Sequence, residues 1–434
     1  RMLKKIIPLM LLAACLAAGC QTKSAVQPAP EPAIATAEEE QTRFTGTLRV
    51  GRHAYQWKSK PYVPGAYSWA DQTLQERTQQ FMEKHPGVEI EFIDVAYDRN
   101  FETVFTDPDI KPDIIELTAF EARLVRDRLE DLTPRIEAET GWQGDYLNMI
   151  DLARVDGDAV LLPITSNPLV VFYKPYEFRA AGVPEPEDGW TLETFAEIGR
   201  LMDRAGHTPG PASRLQDIEP FIFAFGGRFT DDDGRLAGAF DSEETVQAFI
   251  RYGELLGSMT DSGLPPYGSG ALYIDRAAGY SATNKENAVA PLPVMPDGKR
   301  RNNALMTGYA ILKDSRQQEL AWEYMRFLLG ETDDEALDNI VMYTMERSGE
   351  TLNFRQGQEE PPVFGDTLRW MKHEIAHSPP AVFDLVWYAE FRFGLEPKRE
   401  ISQLHGYADP GTARADIPVW AAELQSYIDT LKAP

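Results

Sequence analysis

Apolar segments of strand length alternate with amphipathic segments of helical length along much of this chain. Leu48–Val50, Val88–Ile93 and Asp113–Leu117 have strand character. A helical stretch that carries Leu74 and Phe81 on one face separates the first two of them. Strand, helix and strand in succession is the pattern of a parallel sheet with helices packed on it. The alternation therefore predicts an α/β fold.

After residue 173, longer helical patterns dominate the chain. Thr191 predicts a helix start, because its hydroxyl can accept a hydrogen bond from a free backbone N–H. Before this helix, residues 160–163 and 169–173 predict two short strands joined by a loop. The C-terminal segment predicts a helix from apolar residues at helical spacing: Trp420, Leu424, Tyr427, Ile428 and Leu431.

The charge balance limits the partners of this protein, and the cysteine count limits its chemistry. The 434 residues include 43 basic and 68 acidic side chains, for a net charge of −25. A polyphosphate such as nucleic acid would be repelled. Both cysteines, Cys15 and Cys20, lie in the first twenty residues, so the rest of the chain has no thiol for a disulfide or a metal cluster. The sequence indicates no nucleic-acid partner, no cofactor and no metal.

The amino terminus predicts a lipoprotein signal peptide over residues 1–19. Two lysines precede an apolar run that is too short to span a bilayer, and the run ends in small residues before Cys20. This resembles the lipobox of bacterial lipoproteins, so we expect a lipid on Cys20. Lipidation of Cys15 and an ordinary secretory signal are the alternatives. Residues 20–45 form a tether poor in large apolar side chains. We expect a chain anchored by its lipid on the outer face of the cytoplasmic membrane, or on the periplasmic side of a membrane.

Five motifs in the body of the chain follow one another in a recognisable order. They are Phe-Met-Glu-Lys-His-Pro-Gly-Val-Glu-Ile at 81–90, Pro-Asp-Ile-Ile-Glu-Leu at 112–117, Val-Phe-Tyr-Lys at 171–174, Trp-Thr-Leu-Glu-Thr-Phe at 190–195 and Gly-Tyr-Ala-Ile at 308–311. Their order and spacing resemble bacterial extracellular solute-binding proteins of the sugar-binding, maltose-binding-protein-like kind. The resemblance covers roughly residues 48–343.

This resemblance implies a two-lobed periplasmic-binding-protein-like fold. Each lobe would be a mainly parallel sheet flanked by helices, and the chain would cross the hinge between the lobes more than once. One lobe would hold residues 46–173 and 299–345, and the other would hold residues 174–298 and 346–434. Such lobes can close over a ligand by rotation about the hinge.

The resemblance also implies a function. The protein would be a monomeric receptor without catalytic activity, which captures a carbohydrate, in particular an oligosaccharide, and delivers it to the membrane subunits of an ABC permease. A solute sensor partnered with a membrane kinase is an alternative, because the same fold serves both.

Candidate ligand-binding residues follow the predicted strands, because ligands of parallel sheets lie beyond the carboxyl ends of the strands. Aromatic faces pack on sugar rings while polar groups bind the hydroxyls, which favours Trp57 and Trp69, although such rings also fill the space between a loop and its sheet. The full set is Trp57, Tyr67, Trp69, Glu116, Thr118, Thr165, Ser166, Asn167, Tyr280, Tyr309, Trp387 and Tyr388.

Two further readings of charged residues stay open at this point. Arg276 is either a partner for the carboxylate of an acidic sugar or a solvated loop residue.

His373, Glu374 and His377 fit the pattern HExxH, in which two imidazoles bind zinc and the glutamate activates water. The neighbouring Lys372 and the prolines that follow argue against a buried zinc site. A secreted zinc metallopeptidase is therefore the alternative to a binding protein.

Overall fold

The structure is a computed structural model of the 434-residue chain. It describes residues 43–53, 72–95, 101–212, 214–260, 270–279, 287–347, 370, 372–383 and 406–432. None of the helices in these ranges is both long and apolar enough to cross a membrane.

The described strands form one continuous path of hydrogen-bonded neighbours. They are β1 (Gly46–His53), β2 (Val88–Val95), β3 (Ile114–Thr118), β4 (Leu162–Tyr173), β5 (Leu272–Arg276), β6 (Ala288–Ala290) and β7 (Ala304–Ile311). Their spatial order is β2-β1-β3-β7-β4-β5, and β6 pairs with β4 beside this path.

Helices surround this sheet. They are α1 (Gln72–Lys84), α2 (Phe101–Thr106), α3 (Ala119–Leu124), α4 (Thr133–Ala138), α5 (Asp145–Leu152), α6 (Pro175–Ala181), α7 (Leu192–Arg204), α8 (Leu215–Ala224), α9 (Glu243–Met259), α10 (Gln318–Leu329), α11 (Asp333–Arg347), α12 (372–377) and α13 (Pro410–Lys432), with short 3₁₀ turns at Arg126–Arg128 and Ala277–Gly279. The α/β class predicted from the sequence is confirmed.

The predicted helix start at Thr191 and the predicted C-terminal helix are both confirmed. The Thr191 hydroxyl accepts a hydrogen bond from the backbone N–H of Thr194 at 3.2 Å and caps α7. Helix α13 contains the apolar spacing of the C-terminal segment, and its residues Ile417, Ala421 and Leu424 are buried. Capping and spacing depend on near neighbours in sequence, which explains why both signals were reliable.

The two short strands predicted at 160–163 and 169–173 are one strand, β4, of twelve residues. The predicted loop between them is therefore wrong. Residues 162–168 of β4 pair with β7, whereas residues 169–173 pair with β5 on the other side. Polar residues in the middle of β4 are buried and hydrogen-bonded, so their polarity does not mark a turn.

The prediction of mainly parallel sheets holds only at one end. Strand β1 runs parallel to β2 and β3, but β7 is antiparallel to β3 and β4, and β5 and β6 are antiparallel to β4. Apolar periodicity reports which side chains are buried and not which way a neighbouring strand runs.

Buried side chains form two large clusters and a smaller one. One large cluster contains β1, α1, α10 and α11, and the other contains α7, α8, α9 and α13. Helix α12 lies in the range that the sequence analysis assigned to the second lobe, yet Ile375 and Ala376 belong to the first cluster. The Ile375 carbonyl accepts a hydrogen bond from Ser166 of β4, and that of Ala376 accepts one from Asn148 of α5.

Close packing between β7 and β4 gives a first test of the fold. A Cβ at Gly308 would lie 2.7 Å from the Leu162 carbonyl oxygen and 3.2 Å from Leu161 Cβ. We expect Gly308→Ala to lower the free energy of unfolding by about 1–3 kcal/mol through overpacking. Urea denaturation, monitored by circular dichroism, would measure this change in the free energy of unfolding. Gly406→Ala is the control, because no residue of the described ranges lies within 4 Å of the added carbon. Equal midpoints for both variants would contradict the packing of β7 on β4.

Candidate functional site

Three segments of the chain run side by side where β4 passes from one neighbour to the next. Pro168 pairs with Ala304 at the start of β7, and Ala304 forms a bridge with Pro380 on its other side. The backbone N–H of Ala304 donates to the Pro379 carbonyl, and that of Ala381 donates to the Ala304 carbonyl. We call residues 167–169, 302–304 and 379–382 the joint. They connect the two large buried clusters.

Arg276 is the central cation beside the joint. It is only 3% exposed, and its guanidinium contacts the Asp217 carboxylate of α8 at 2.7 Å. It also donates to the carbonyls of Asn167, Gln216 and Asn303 at 3.0–3.2 Å. One side chain thus ties β4, β5, α8 and the segment before β7 together.

Neither reading of Arg276 from the sequence describes this arrangement. A solvated loop residue would be exposed, and a partner for an acidic sugar would need unoccupied hydrogen-bonding groups. Here Asp217 already supplies the carboxylate. A buried cation needs such a partner, because an unpaired charge in the interior costs several kcal/mol.

Two acidic side chains of α8 respond to this environment in opposite ways. Burial alone would raise the pKa of Asp217, but Arg214 and Arg276 hold that pKa below its usual value. Arg276 also acts on Glu219, but burial outweighs this charge. Burial raises the pKa of Glu219 to about 7, against the hydrogen bonds from Asn303 and from the Val382 N–H. Glu219 therefore holds a proton beside the joint in the pH range where an exposed glutamate would not.

The candidate ligand residues that the structure describes lie on three neighbouring strands. Thr118 of β3 and Thr165 of β4 both pair with Thr307 of β7, and the hydroxyls of Thr165 and Thr307 are 2.7 Å apart. Glu116 pairs with Tyr309 in the same way. The structure therefore brings these residues together, and it adds Thr307, which the sequence analysis missed.

Most of these side chains are buried and several serve the fold. The Thr118 hydroxyl accepts from the Glu121 N–H while the Glu121 carboxylate accepts from the Thr118 N–H, a capping box at the start of α3. Ser166 donates to the Ile375 carbonyl. Asn167 accepts from the Ala278 N–H at 2.8 Å. Contact of these residues with a ligand stays a prediction.

The remaining ligand candidates lie outside the described residues. They are Trp57, Tyr67, Trp69, Tyr280, Trp387 and Tyr388, together with the lipidation candidate Cys20.

The HExxH segment forms helix α12, and its glutamate points to the joint. Glu374 is 6% exposed, and its carboxylate accepts from the Asn302 side chain at 2.6 Å. His377 is half-exposed, and its Nδ1 lies 2.9 Å from the His373 carbonyl oxygen. Within the described ranges, no three His, Cys, Asp or Glu side chains are grouped so that they could hold a metal ion. The geometry thus gives Glu374 a structural partner.

Comparison with known families gives a clear match. The model of the family described as bacterial extracellular solute-binding protein matches residues 67–335, which is more than half of the chain. The chain belongs to this family. The resemblance read from the ordered motifs is therefore confirmed.

The individual proteins that this solute-binding protein is similar to have low sequence identity to it. A protein of Brucella abortus named as a binding protein is 21% identical over 318 residues, covering 65% of this chain and 72% of its own. The structure of an ABC substrate-binding protein from Listeria monocytogenes in complex with cycloalternan is similar, with a TM-score of 0.56 and 16% identity, covering 88% of this chain and 100% of that one.

A second solved structure shares the same fold. It is a Mycobacterium tuberculosis protein in complex with glycerophosphocholine, with a TM-score of 0.58 and 14% identity, covering 89% of this chain and 98% of that one. The two-lobed periplasmic-binding-protein-like fold predicted for this solute-binding protein is confirmed by such neighbours. The exact division into lobes stays a prediction.

Besides Thr307, the sequence did not predict the roles of Asp217, Glu219, Asn302 and Asn303. Two acids within one turn of the largely apolar helix α8 were the available signal, because acids on such a helix need buried partners. The partners themselves are distant in sequence, so no local pattern identifies them.

The protonation of Glu219 predicts how stability depends on pH. The pKa is about 7 in the folded protein and about 4.5 in an ordinary glutamate, so the folded state retains a proton that the unfolded state releases. The protonation of Glu219 therefore makes its full contribution to the free energy of unfolding below pH 4.5. This contribution, about 3 kcal/mol, is lost as the pH rises through 7. Glu219→Gln should remove this loss.

Urea titrations of the wild type and of Glu219→Gln at pH 5 and at pH 8 would measure the effect. We expect the variant to gain stability relative to the wild type between these two values. Parallel changes in both proteins would show that Glu219 does not bind a proton in the folded state.

Proposed function

We propose that this solute-binding protein captures a carbohydrate, in particular an oligosaccharide, and presents it to an ABC permease without altering it chemically. The observation that carries the proposal is the family match over residues 67–335. The cycloalternan held by the Listeria protein is an oligosaccharide bound by a chain of the same fold.

The charge and composition of the chain favour a neutral ligand over an anionic one. The net charge is −25, and the buried cation beside the joint, Arg276, is already paired with Asp217. A neutral sugar avoids the cost of bringing an anion to an acidic protein. Trp57 and Trp69 supply aromatic faces in the segment after β1, where rings can stack on sugar C–H faces.

Capture would work through the joint. Three chain segments cross between the two buried clusters within a few residues of one another. A ligand that contacts both halves favours the closed arrangement by its extra contacts there. A permease can then distinguish the loaded receptor from the empty one. Residues 46–173 with 299–345, and 174–298 with 346–434, are the proposed halves, apart from α12.

We expect thermal unfolding to identify the ligand class. A ligand at a hundred times its dissociation constant stabilises the folded state by about 2.7 kcal/mol. The panel would contain neutral and uronate-bearing oligosaccharides, sugar alcohols and glycerophosphocholine, with zinc and a chelator tested separately. Neutral oligosaccharides should raise the midpoint, and the chelator should have no effect.

Two tryptophan variants sharpen this test. Trp57→Ala and Trp69→Ala should weaken or abolish the shift caused by the sugar. Tyr176→Ala, which removes a ring that is 77% exposed on α6, should preserve it. A shift produced by glycerophosphocholine alone, or a midpoint lowered by the chelator, would contradict the carbohydrate proposal.

We further propose that a lipid on Cys20 holds the protein at the membrane surface. Small residues precede this cysteine and a tether follows it. In a bacterial host, Cys20→Ser should move the protein from the membrane fraction to the soluble fraction, whereas Cys15→Ser should leave it in the membrane fraction. Immunoblots of the two fractions would decide, and the opposite result would assign the lipid to Cys15.

A further inference from the structure

On the edge of β4 that faces β7 and β6, backbone pairing is interrupted at Leu169 in the joint and at the following Val170, while both residues pair with β5 on the other edge. Pairing with β7 ends at Pro168, which has no backbone N–H to donate, and pairing with β6 begins at Val171. Leu169 lies between these two ladders and is 0% exposed. A buried backbone N–H and carbonyl need hydrogen-bond partners, so on this edge, where neither β7 nor β6 pairs with Leu169, another group must supply them.

The side chain of Asn302 supplies these partners. Its Oδ1 accepts from the Leu169 N–H at 3.1 Å, and its Nδ2 donates to the Leu169 carbonyl at 2.9 Å. Asn302 comes two residues before β7 begins, so its side chain stands where a further pair of backbone groups would continue the ladder. A side-chain amide has rotatable bonds, so pairing through it permits more movement than a strand ladder does.

Every hydrogen-bonding position of this amide is occupied. The second proton of Nδ2 faces Glu374 Oε2 at 2.6 Å, and Oδ1 also accepts from the Asn303 N–H at 2.8 Å. An amide has two donor protons and two acceptor positions, and all four are used. Glu374 is buried on α12, which packs with the first cluster. The bond to Glu374 therefore fixes the amide that holds Leu169.

We propose that Asn302 is the positioning residue of the joint, and that the Glu374 carboxylate sets how far the two halves rotate about Leu169. In this role Glu374 of the HExxH segment acts on the motion of the receptor and not on a bound water. The inference goes beyond the proposed function, because it assigns the control of opening and closing to two residues that need not touch the ligand.

Distances between the halves can be measured without a ligand. With Cys15 and Cys20 replaced by serine, the full chain has no other cysteine. Spin labels would be attached to cysteines introduced at Gln80 of α1 and Arg200 of α7, which are exposed on helices of different clusters. Pulsed electron–electron double resonance would measure the distribution of distances between the two spin labels.

Three variants test the proposal. Asn302→Ala and Glu374→Ala should broaden the distance distribution, because each removes a bond that fixes β4 at Leu169. Glu374→Gln retains an oxygen that can accept from Asn302 and should keep the wild-type distribution. If Asn302→Ala does not fold, the two Glu374 variants still test the proposal, because only Glu374→Ala should have a broader distance distribution than the wild type.

Thr78→Val is the matched control for general destabilisation. It removes a buried hydrogen bond to Tyr324 inside the first cluster, away from the joint. It should lower the melting midpoint without broadening the distribution. Unchanged distributions in Asn302→Ala and Glu374→Ala, or equal broadening in Thr78→Val, would overturn the proposal. No ligand is used, so this failure would be distinguishable from a failure of the proposed function.

Discussion

The structure depends on one strand that has to satisfy two sets of neighbours. The first part of β4 pairs with β7, and the second part pairs with β5 and β6. Buried backbone groups must be hydrogen-bonded where the strand changes partner. Pro168 has no backbone N–H to satisfy, and the side chain of Asn302 hydrogen-bonds the N–H and the carbonyl of Leu169. Both large clusters of buried side chains include residues of β4, so their relative position depends on this short stretch.

Buried ionisable side chains are concentrated next to the same stretch. Arg276, Asp217 and Glu219 lie together with little exposure, although each would be better solvated in water. Apolar side chains would pack there at less cost, but they would not specify one geometry between four elements. The contacts of Arg276 with Asn167 and Asn303 give the joint defined partners on either side of the crossing. The polar groups therefore contribute specificity where the fold has to keep two halves in register.

Features of the fold that depend on near neighbours were predictable from the sequence. The cap at Thr191 and the spacing in α13 are such features. The direction of β5 and the continuity of β4 were not, because both depend on pairing between distant segments. Arg276 and Asp217 are 59 positions apart, and Asn302 and Leu169 are 133 apart. A charged residue is usually exposed, and the residues next to Arg276 in sequence do not indicate that it is buried. The ordered motifs predicted the family because they are spread over residues 81–311 and do not depend on one local segment.

The central claim is that the two halves move as units about the joint when a ligand binds. A crystal structure of the protein with a bound oligosaccharide, compared with one of the empty protein, tests it most directly. The account predicts that backbone dihedral changes are confined to residues 167–169, 302–304 and 379–382, while each ladder of β4 keeps its register. Dihedral changes spread through the helices, or a shift in the pairing of β4 with β7, would contradict it.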